Sequence, residues 1–486
     1  MTAMATTGEV VELTLEVPQG QVITYDLAKL CSALGISDPT RIAVETDGSR
    51  RALVTIYPSN PLADMPPPTL ADMMMDRHGR IVVGRYHNGR PARRKMFDPS
   101  TGSAQRAMVF GTTGAGKSRT VQYNLACEKR NRVVSWFADL KGGQSAPEAA
   151  GHVDWHATTQ EEAILMLRAA VAVAKARQCR YKVMGRNAFL LGDPDPLLSV
   201  RIDEANRLLE RGAPYREEAT YLVKELGRTG RSVGVGIELD AQASHLEELG
   251  GSDTLRAMLK EGEVTLLRWS SGMMRQLVAD GLLPAGEQLM PIPKALRPRT
   301  LTSQLDGRVA DDDDDDAPGT QGTAYLLSGP HPTAMMRHFR VGSIAPTPGL
   351  DPEILALYGP GDPERLEADS HPAAGEAYAV RHDPAAMAAL CTEMASQQAQ
   401  QAVVATGTVA SPADGGKTRP ARVEERVLAV LANAGDAMTA DDVLAAVLKD
   451  GGKDVRLGTI RNALGALADR GDVDRLERGL YVLADG

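Results

Sequence analysis

The chain has little of what several common kinds of protein are built from. Its four cysteines, Cys31, Cys127, Cys179 and Cys391, stand far apart with neither metal-ligand nor disulfide-framework spacing. That excludes a zinc module or a disulfide scaffold, and a reducing cytoplasm is the expected setting. Aromatic residues make up only 4%, so the cores must be aliphatic. No run approaches the ~18 consecutive apolar residues of a membrane span. The N-terminus lacks the basic-then-apolar pattern of a secretory signal. Positive charge is not in excess either: 54 Lys and Arg stand against 63 Asp and Glu, a net of -9. This excludes a general polyanion binder and leaves any nucleic-acid surface as a local patch.

What the chain has is a phosphate loop. Residues 111–118 read Gly111-Thr112-Thr113-Gly114-Ala115-Gly116-Lys117-Ser118, the Gly-x4-Gly-Lys-[Ser/Thr] pattern. It follows the apolar run Ala107-Met108-Val109-Phe110 and leads into a helical stretch over 117–129. That is the strand–loop–helix setting the motif needs. The glycines let the backbone curl so that several N–H groups face one anion, and the helix N-terminus adds its dipole. Lys117 is placed to neutralise β- and γ-phosphates, Ser118 to ligate Mg²⁺, and Arg119 ends the nucleotide-contacting stretch. ATP and Mg²⁺ are the cofactors expected.

A second apolar run, Leu197–Ile202, ends in Asp203 and Glu204. As a strand it delivers Asp203 to the sheet's carboxyl edge, where the metal of such folds sits. Glu204, one residue on, is placed to polarise an attacking water, and the pair suits hydrolysis better than simple binding. Arg201 inside the run is atypical for a buried strand. A further strand, Val233–Leu239, ends near Gln242, either an amide that senses the γ-phosphate or a solvated polar residue. The strand Val133–Phe137 precedes Asp139-Leu140-Lys141, whose charges contact the site, a neighbouring subunit or each other's surroundings as a structural salt bridge.

At 486 residues the chain should hold roughly two to four domains. Residues 1–96 read as a small α/β module and a hairpin: strand Val10–Val17, helix Tyr25–Leu34, strands Arg41–Glu45 and Ala52–Tyr57, then Ile81–Tyr86 and Ala92–Phe97 turning at Asn88-Gly89. The basic cluster Arg90, Arg93, Arg94 and Lys95 either faces a channel or covers a sheet edge. From 97 to 345, strand-like runs at 107–110, 133–138, 197–202, 233–239 and 263–269 alternate with helical stretches. That alternation predicts an α/β domain with a mainly parallel sheet. Its acidic stretch 303–322, with Asp306 and Asp311–Asp316, reads as an exposed loop because its carboxylates repel. Residues 346–420 turn rich in Pro, Ala, Gln and Gly, which predicts a flexible linker with a helix at 384–402.

The last segment, 421–486, regains periodicity. Helices are expected at 422–434, 440–449 and 456–469, with Thr439 and Asp442 capping the second and Leu457, Ile460, Leu464 and Leu467 facing inward. Two strands, Val473–Leu476 and Leu480–Leu483, turn at Arg478-Gly479. Three helices and a wing make a winged helix-turn-helix. Its third helix presents Arg456, Thr459, Arg461 and Asn462 to a major groove, and its wing presents Arg475 and Arg478 to phosphate. The segment nevertheless holds nine Lys and Arg against twelve Asp and Glu, so protein docking stays open beside DNA recognition.

Taken in order, these motifs resemble the FtsK/SpoIIIE/HerA family of motor ATPases. The phosphate loop at 111–118 is close to the family's wording. Asp139-Leu140-Lys141 resembles its Asp-Pro-Lys element, with Leu in place of Pro. Arg180-Tyr181 with Gly185-Arg186-Asn187, Ile202-Asp203-Glu204, the stretch Gly227–Gly234 and Ala241-Gln242 follow in the family's order. The resemblance covers roughly 97–280 and implies a RecA-like P-loop fold. It implies ATP hydrolysis by Lys117, Ser118, Asp203 and Glu204, and a hexameric ring of identical subunits that pumps double-stranded DNA. It also implies an arginine reaching into the neighbour's site, for which Arg228, Arg231 and Arg275 are the candidates. One ATPase domain, an N-terminal module and a helical C-terminal domain together resemble actinomycete TraB-type plasmid-transfer translocases. That likeness implies a cytoplasmic protein, or one held at the membrane by anchored partners. The rival readings are a single-strand coupling protein, a polypeptide-secretion ATPase, a chromosome-segregation pump and a nucleotide-switched DNA-binding regulator.

Overall fold

The computed structural model describes residues 3–7, 9–242, 250–268, 289, 291–292, 294, 319–407, 423–434, 437–449, 457–470, 473–477 and 480–483. They divide into two units, 1–401 and 402–486. The acidic residues Asp306 and Asp311–Asp316 lie outside the described residues.

The first unit begins with strands β1 (Ala3–Thr7) and β2 (Val10–Glu16), helix α1 (Leu27–Leu34), and strands β3 (Ile42–Thr46) and β4 (Arg51–Ile56). The strands form an antiparallel sheet in the order β1-β2-β4-β3. Period-two alternation buries Leu13, Ile42 and Val54 against Cys31 of α1. Asp26 caps α1 by accepting from the Lys29 amide, and Gly35, at φ 66, ends it. β1 is the one strand here without a counterpart in the sequence reading.

A short helix α2 (Leu70–Met73) leads to the hairpin β5 (Arg80–Tyr86) and β6 (Pro91–Lys95), and β7 (Phe97–Asp98) pairs with β8 (Ser103–Ala104). Next come β9 (Arg106–Gly111), α3 (Lys117–Arg130), β10 (Val134–Asp139), β11 (Trp155–Ala157), α4 (Gln160–Val183), β12 (Leu198–Asp203), α5 (Asn206–Leu209), α6 (Arg216–Thr229), β13 (Val235–Ala241), α7 (Asp253–Lys260) and β14 (Glu263–Leu267). Two more strands, β15 (Thr323–Leu326) and β16 (Met336–His338), complete a ten-stranded sheet in the order β11-β10-β12-β13-β9-β14-β15-β16-β5-β6. The first six strands are parallel, as crossover helices require; the remaining joints are antiparallel. β13 lies between β9, which feeds the phosphate loop, and β12, which carries the acid pair. This is the RecA-like P-loop fold. The hairpin β5–β6 is the far edge of this sheet, joined through β16. Within it, Arg94 turns inward to a buried pair with Glu238, while Lys95 pairs with Asp98 at 3.0 Å.

The linker expected at 346–420 is corrected over its first part. Helices Pro352–Tyr358, His371–Ala379 and Pro384–Gly407 follow the sheet; their Ile354, Tyr358, Tyr378, Met387 and Met394, and Leu366 between the first two, are buried in the same cores. Polar clamps fix them. Asp154, fully buried, accepts from Trp136 Nε1 (3.0 Å), Tyr378 Oη (3.0 Å) and Arg381 Nη2 (2.8 Å). Arg177 pairs with Glu367 at 2.6 Å. Widely spaced anchors in an Ala/Pro-rich background dilute the apolar signal of the segment without removing its docking face. No described helix is long and apolar enough to cross a membrane.

The second unit holds helices Val423–Ala434, Ala440–Lys449 and Leu457–Arg470 and a small antiparallel sheet in which Leu480–Leu483 lies between Met438–Thr439 and Val473–Glu477. Val427, Leu431, Val443, Ile460, Leu464 and Leu467 form its core. Thr439 and Asp442 make reciprocal capping bonds: the Asp442 carboxylate accepts from the Thr439 hydroxyl (2.6 Å) and the Thr439 hydroxyl from the Asp442 amide (3.2 Å).

Candidate nucleotide site

The site is built at the carboxyl edge of the parallel strands. β9 ends at Gly111, and Thr112 to Gly116 turn the chain back into α3. Gly114 (φ 73) and Gly116 (φ 101) take left-handed backbone conformations that side chains resist. A Cβ on Gly116 would also sit 2.9 Å from the amide of Gly322. Ala115 lies inside the turn, its amide donating to the Thr112 carbonyl at 3.0 Å. No side chain caps α3, so the first-turn amides face the loop as an anion-binding end. Thr113 and Gly114 are exposed at the mouth of the loop, and Ser118 is half-buried.

Lys117 opens α3 and reaches under the loop. Its Nζ donates to Asp203 Oδ1 at 2.6 Å and to Glu204 Oε1 at 2.7 Å. Lys141 joins Glu204 Oε1 at 3.0 Å, and Gln242 Nε2 donates to Glu204 Oε2 at 3.1 Å. Three residues from three separate strand ends or loops, Lys117, Lys141 and Gln242, thus converge on one glutamate. Of the readings open for Asp139-Leu140-Lys141, the structure places Lys141 in the site. Asp139 stays behind it, accepting from the amides of Lys141, Ser145 and Ala146 to hold that loop. Glu204 itself sits at φ 56, a left-handed position rare for its residue type and typical of strained functional sites.

Burial raises the Glu204 carboxyl, but Lys117, Lys141 and Gln242 overcome it and hold the group down at about 2. Burial likewise works against the Lys117 ammonium, yet Asp203 and Glu204 outweigh it and raise its pKa. Both groups are therefore charged at neutral pH. Asp203 is fully buried, and its Oδ2 makes no hydrogen bond among the described residues. An unused buried oxygen on a carboxylate whose other oxygen bonds Lys117, the residue before Ser118, fits a hard divalent cation.

Sequence reasoning missed Asp240. It stands in register with Asp203 on the neighbouring strand, fully buried, with neither oxygen hydrogen-bonded among the described residues. Burial, with Glu238 and Asp203 nearby, pushes its carboxyl well above the usual range. The signal was available: Glu238, Asp240 and Gln242 alternate along one strand and share a face.

The remaining candidates divide. Arg119 pairs through its Nη1 with Asp351 at 2.9 Å, so its side chain is committed to the following helices and only its backbone faces the loop. Arg228 is exposed and lies 4.0 Å from Glu225; Arg231 is exposed in the turn before β13. Both sit at the amino end of a seven-residue strand, ~20 Å from the end that leads to Gln242. Arg180 is structural, paired with Asp195 at 2.6 Å and Glu367 at 3.1 Å. Arg275, Arg456 and Arg478 lie outside the described residues. Thr459, Arg461 and Asn462 are exposed together on one helix, with Arg461 3.8 Å from Asp441. Arg475 is exposed, its guanidinium 5.7 Å from the Tyr481 ring.

The chain resembles the FtsK/SpoIIIE-like motor ATPases in motif order. No protein-family model matches it, and no curated protein matches its sequence. Among solved structures it is similar to the pCW3 conjugation coupling protein TcpA, a monomer with ATPγS, at 15% identity over 70% of this chain and 88% of that one, TM-score 0.43. It is also similar to the cytoplasmic domain of the type VII secretion ATPase EccC of Thermomonospora curvata, at 19% identity over 70% of this chain and 35% of that one, TM-score 0.41. A third is EssC, ATPases 2 and 3, of Geobacillus thermodenitrificans, at 14% identity over 64% and 54%, TM-score 0.40.

Proposed function

We propose that the chain is an ATP-driven translocase of double-stranded DNA that works as a ring of identical subunits, a hexamer by the resemblance, in the transfer of a plasmid or integrative element. The observation that carries this reading is the convergence of Lys117, Lys141 and Gln242 on an ionised Glu204 beside Asp203. In the reading, the loop amides from Gly111 to Ser118 cradle the phosphates and Lys117 leaves its acid partners to neutralise them. Ser118 and Asp203 hold Mg²⁺, which supplies charge neutralisation at the β- and γ-phosphates when bound. Glu204 takes a proton from the attacking water, and Gln242, already bonded to it, reports the change to β13. A trans arginine comes from Arg228, Arg231 or Arg275. The C-terminal unit acts as a winged helix that reads DNA through Thr459, Arg461, Asn462 and Arg475, with Arg456 and Arg478 beside them.

Lys117→Ala lowers DNA-stimulated phosphate release about 10²–10³-fold, the scale for losing one main electrostatic contact, and stops displacement of a DNA triplex. A Lys117→Ala protein that displaces triplex as well as wild type overturns the motor reading. The acidic balance of residues 421–486 favours polypeptide as a second cargo, as in a secretion ATPase. Hydrolysis stimulated by peptide in place of duplex selects that reading, and stimulation by single strands selects a coupling protein.

A further inference from the structure

β14 runs beside β9 on the flank of the phosphate loop away from the acid pair, with Leu267 opposite Gly111. The next residue is Arg268. Its amide donates to the Thr323 carbonyl at 2.9 Å, and its own carbonyl accepts from the Thr112 hydroxyl at 3.5 Å. The backbone turns there at φ 40, left-handed for a long side chain. The residue is 6% exposed. The guanidinium bends over the loop: Nη1 lies 3.5 Å from where a Cβ on Gly114 would stand. No carboxylate pairs with it and Nε makes no hydrogen bond, both among the described residues.

A buried cation without a counter-ion is costly and persists only where something else uses it. The other buried arginines show the contrast: Arg94 and Arg201 each meet Glu238, and Arg177 meets Glu367. The strained backbone is a second cost at the same residue. Burial lowers the Arg268 pKa with no partner to offset it, yet an arginine stays charged. Among the described residues no anion faces it, which points to one delivered at the loop.

We propose that Arg268 is a phosphate-contacting arginine acting within its own subunit, closing on the triphosphate from the flank opposite Lys117, Asp203 and Glu204. This rests on the nucleotide reading of the loop. The planar fork donates two parallel N–H bonds to phosphate oxygens, and only a bound anion relieves its isolation. The role differs from that of a trans arginine, since no second subunit is needed to supply it.

The test uses the full chain, with ATPγS and ADP as probes in calorimetry and nucleotide-free melting as the second readout. Arg268→Met should weaken ATPγS binding about tenfold or more while leaving the nucleotide-free melting temperature unchanged or higher, because an unpaired buried charge is removed. Arg268→Lys should keep part of the affinity, since it restores charge without the fork. Unchanged ATPγS affinity in Arg268→Met overturns the proposal. A melting temperature lowered by several degrees overturns it too, since a structural arginine behaves that way. Lys117→Ala is the control: if it also binds ATPγS normally, the nucleotide reading itself fails. If it loses binding while Arg268→Met keeps it, only the arginine's role fails.

Discussion

The two faces of the parallel sheet are built from different chemistry. Toward α4 and α6 the strands present Met108, Phe110, Trp136, Ala138, Val200, Ile202, Ile237 and Leu239, all buried in one apolar cluster. Toward α3 the alternate positions present Ser135, Arg201, Asp203, Glu238 and Asp240 beside Val109 and Phe137. Arg201, 1% exposed, sits among Glu238, Asp240 at 3.6 Å and Glu128 of α3 at 3.0 Å. Glu128 in turn accepts from the hydroxyls of Ser135 (2.6 Å) and Ser199 (2.9 Å). The period of two assigns these roles. Once Asp203 faces the loop that feeds α3, Arg201 must lie beneath the same helix, and Ile202 must not. Stability comes from the first face, while the second holds the charges whose far end is the site.

That contrast can be broken most sharply at Arg201. Arg201→Met leaves Glu128 without its cation and Glu238 with Arg94 alone, and should lower the unfolding free energy by about 3–5 kcal/mol, read from urea denaturation. Adding Glu128→Leu should recover part of the loss, because replacing both members of the Arg201–Glu128 pair costs less than removing one. If the single substitution is as mild as a conservative change on the apolar face, the network is not paired as described. Ile202→Val, one residue along on that face, is the measure of mildness. It removes one methyl from a packed core, costs about 0.5–1.5 kcal/mol, and leaves ATP hydrolysis unchanged. A hydrolysis defect in Ile202→Val would mean that the two faces do not divide stability from chemistry.

Much of the polar face was legible. The loop 111–118 carries its geometry in its glycines, and Asp203-Glu204 closes an apolar run where a strand must end. Five of the six parallel strands announced themselves as apolar runs separated by helix-length stretches; the three-residue β11 did not. Arg201 looked atypical because its partners come from α3 and β13, 73 and 37 residues away, and no local pattern pairs them. The destination of the hairpin at 80–95 was hidden for a similar reason. Its partner β16 is three residues long and lies some 250 residues further on, too short for a period and too distant for a turn signal. The helices after 346 were masked by composition. Their anchors are single tyrosines and methionines, and their tightest contacts are ion pairs to Asp154 and Arg177, which hydrophobic patterning does not register.

The polar face also extends outward through α3. Arg119 on its first turn binds Asp351, which caps the helix Pro352–Tyr358 by accepting from the Glu353 amide at 3.0 Å and also accepts from the Ser343 amide at 2.8 Å. Burial raises the Asp351 carboxyl, but the Ser343 amide and Arg119 outweigh it and hold the group at about 2. Its folded pKa is depressed below the ordinary ~3.9, so its contribution is complete above that value and is lost as pH falls through about 2. Asp351→Asn keeps a competent cap but removes the charge. At pH 7 it should melt about 2–4 °C lower than wild type, and the gap should close between pH ~4 and 2, so the variant's melting curve is flatter in acid. A gap that persists unchanged at pH 2 would show that Asp351 acts by shape alone. In that case the charged face ends at α3 instead of continuing into the helices packed outside it.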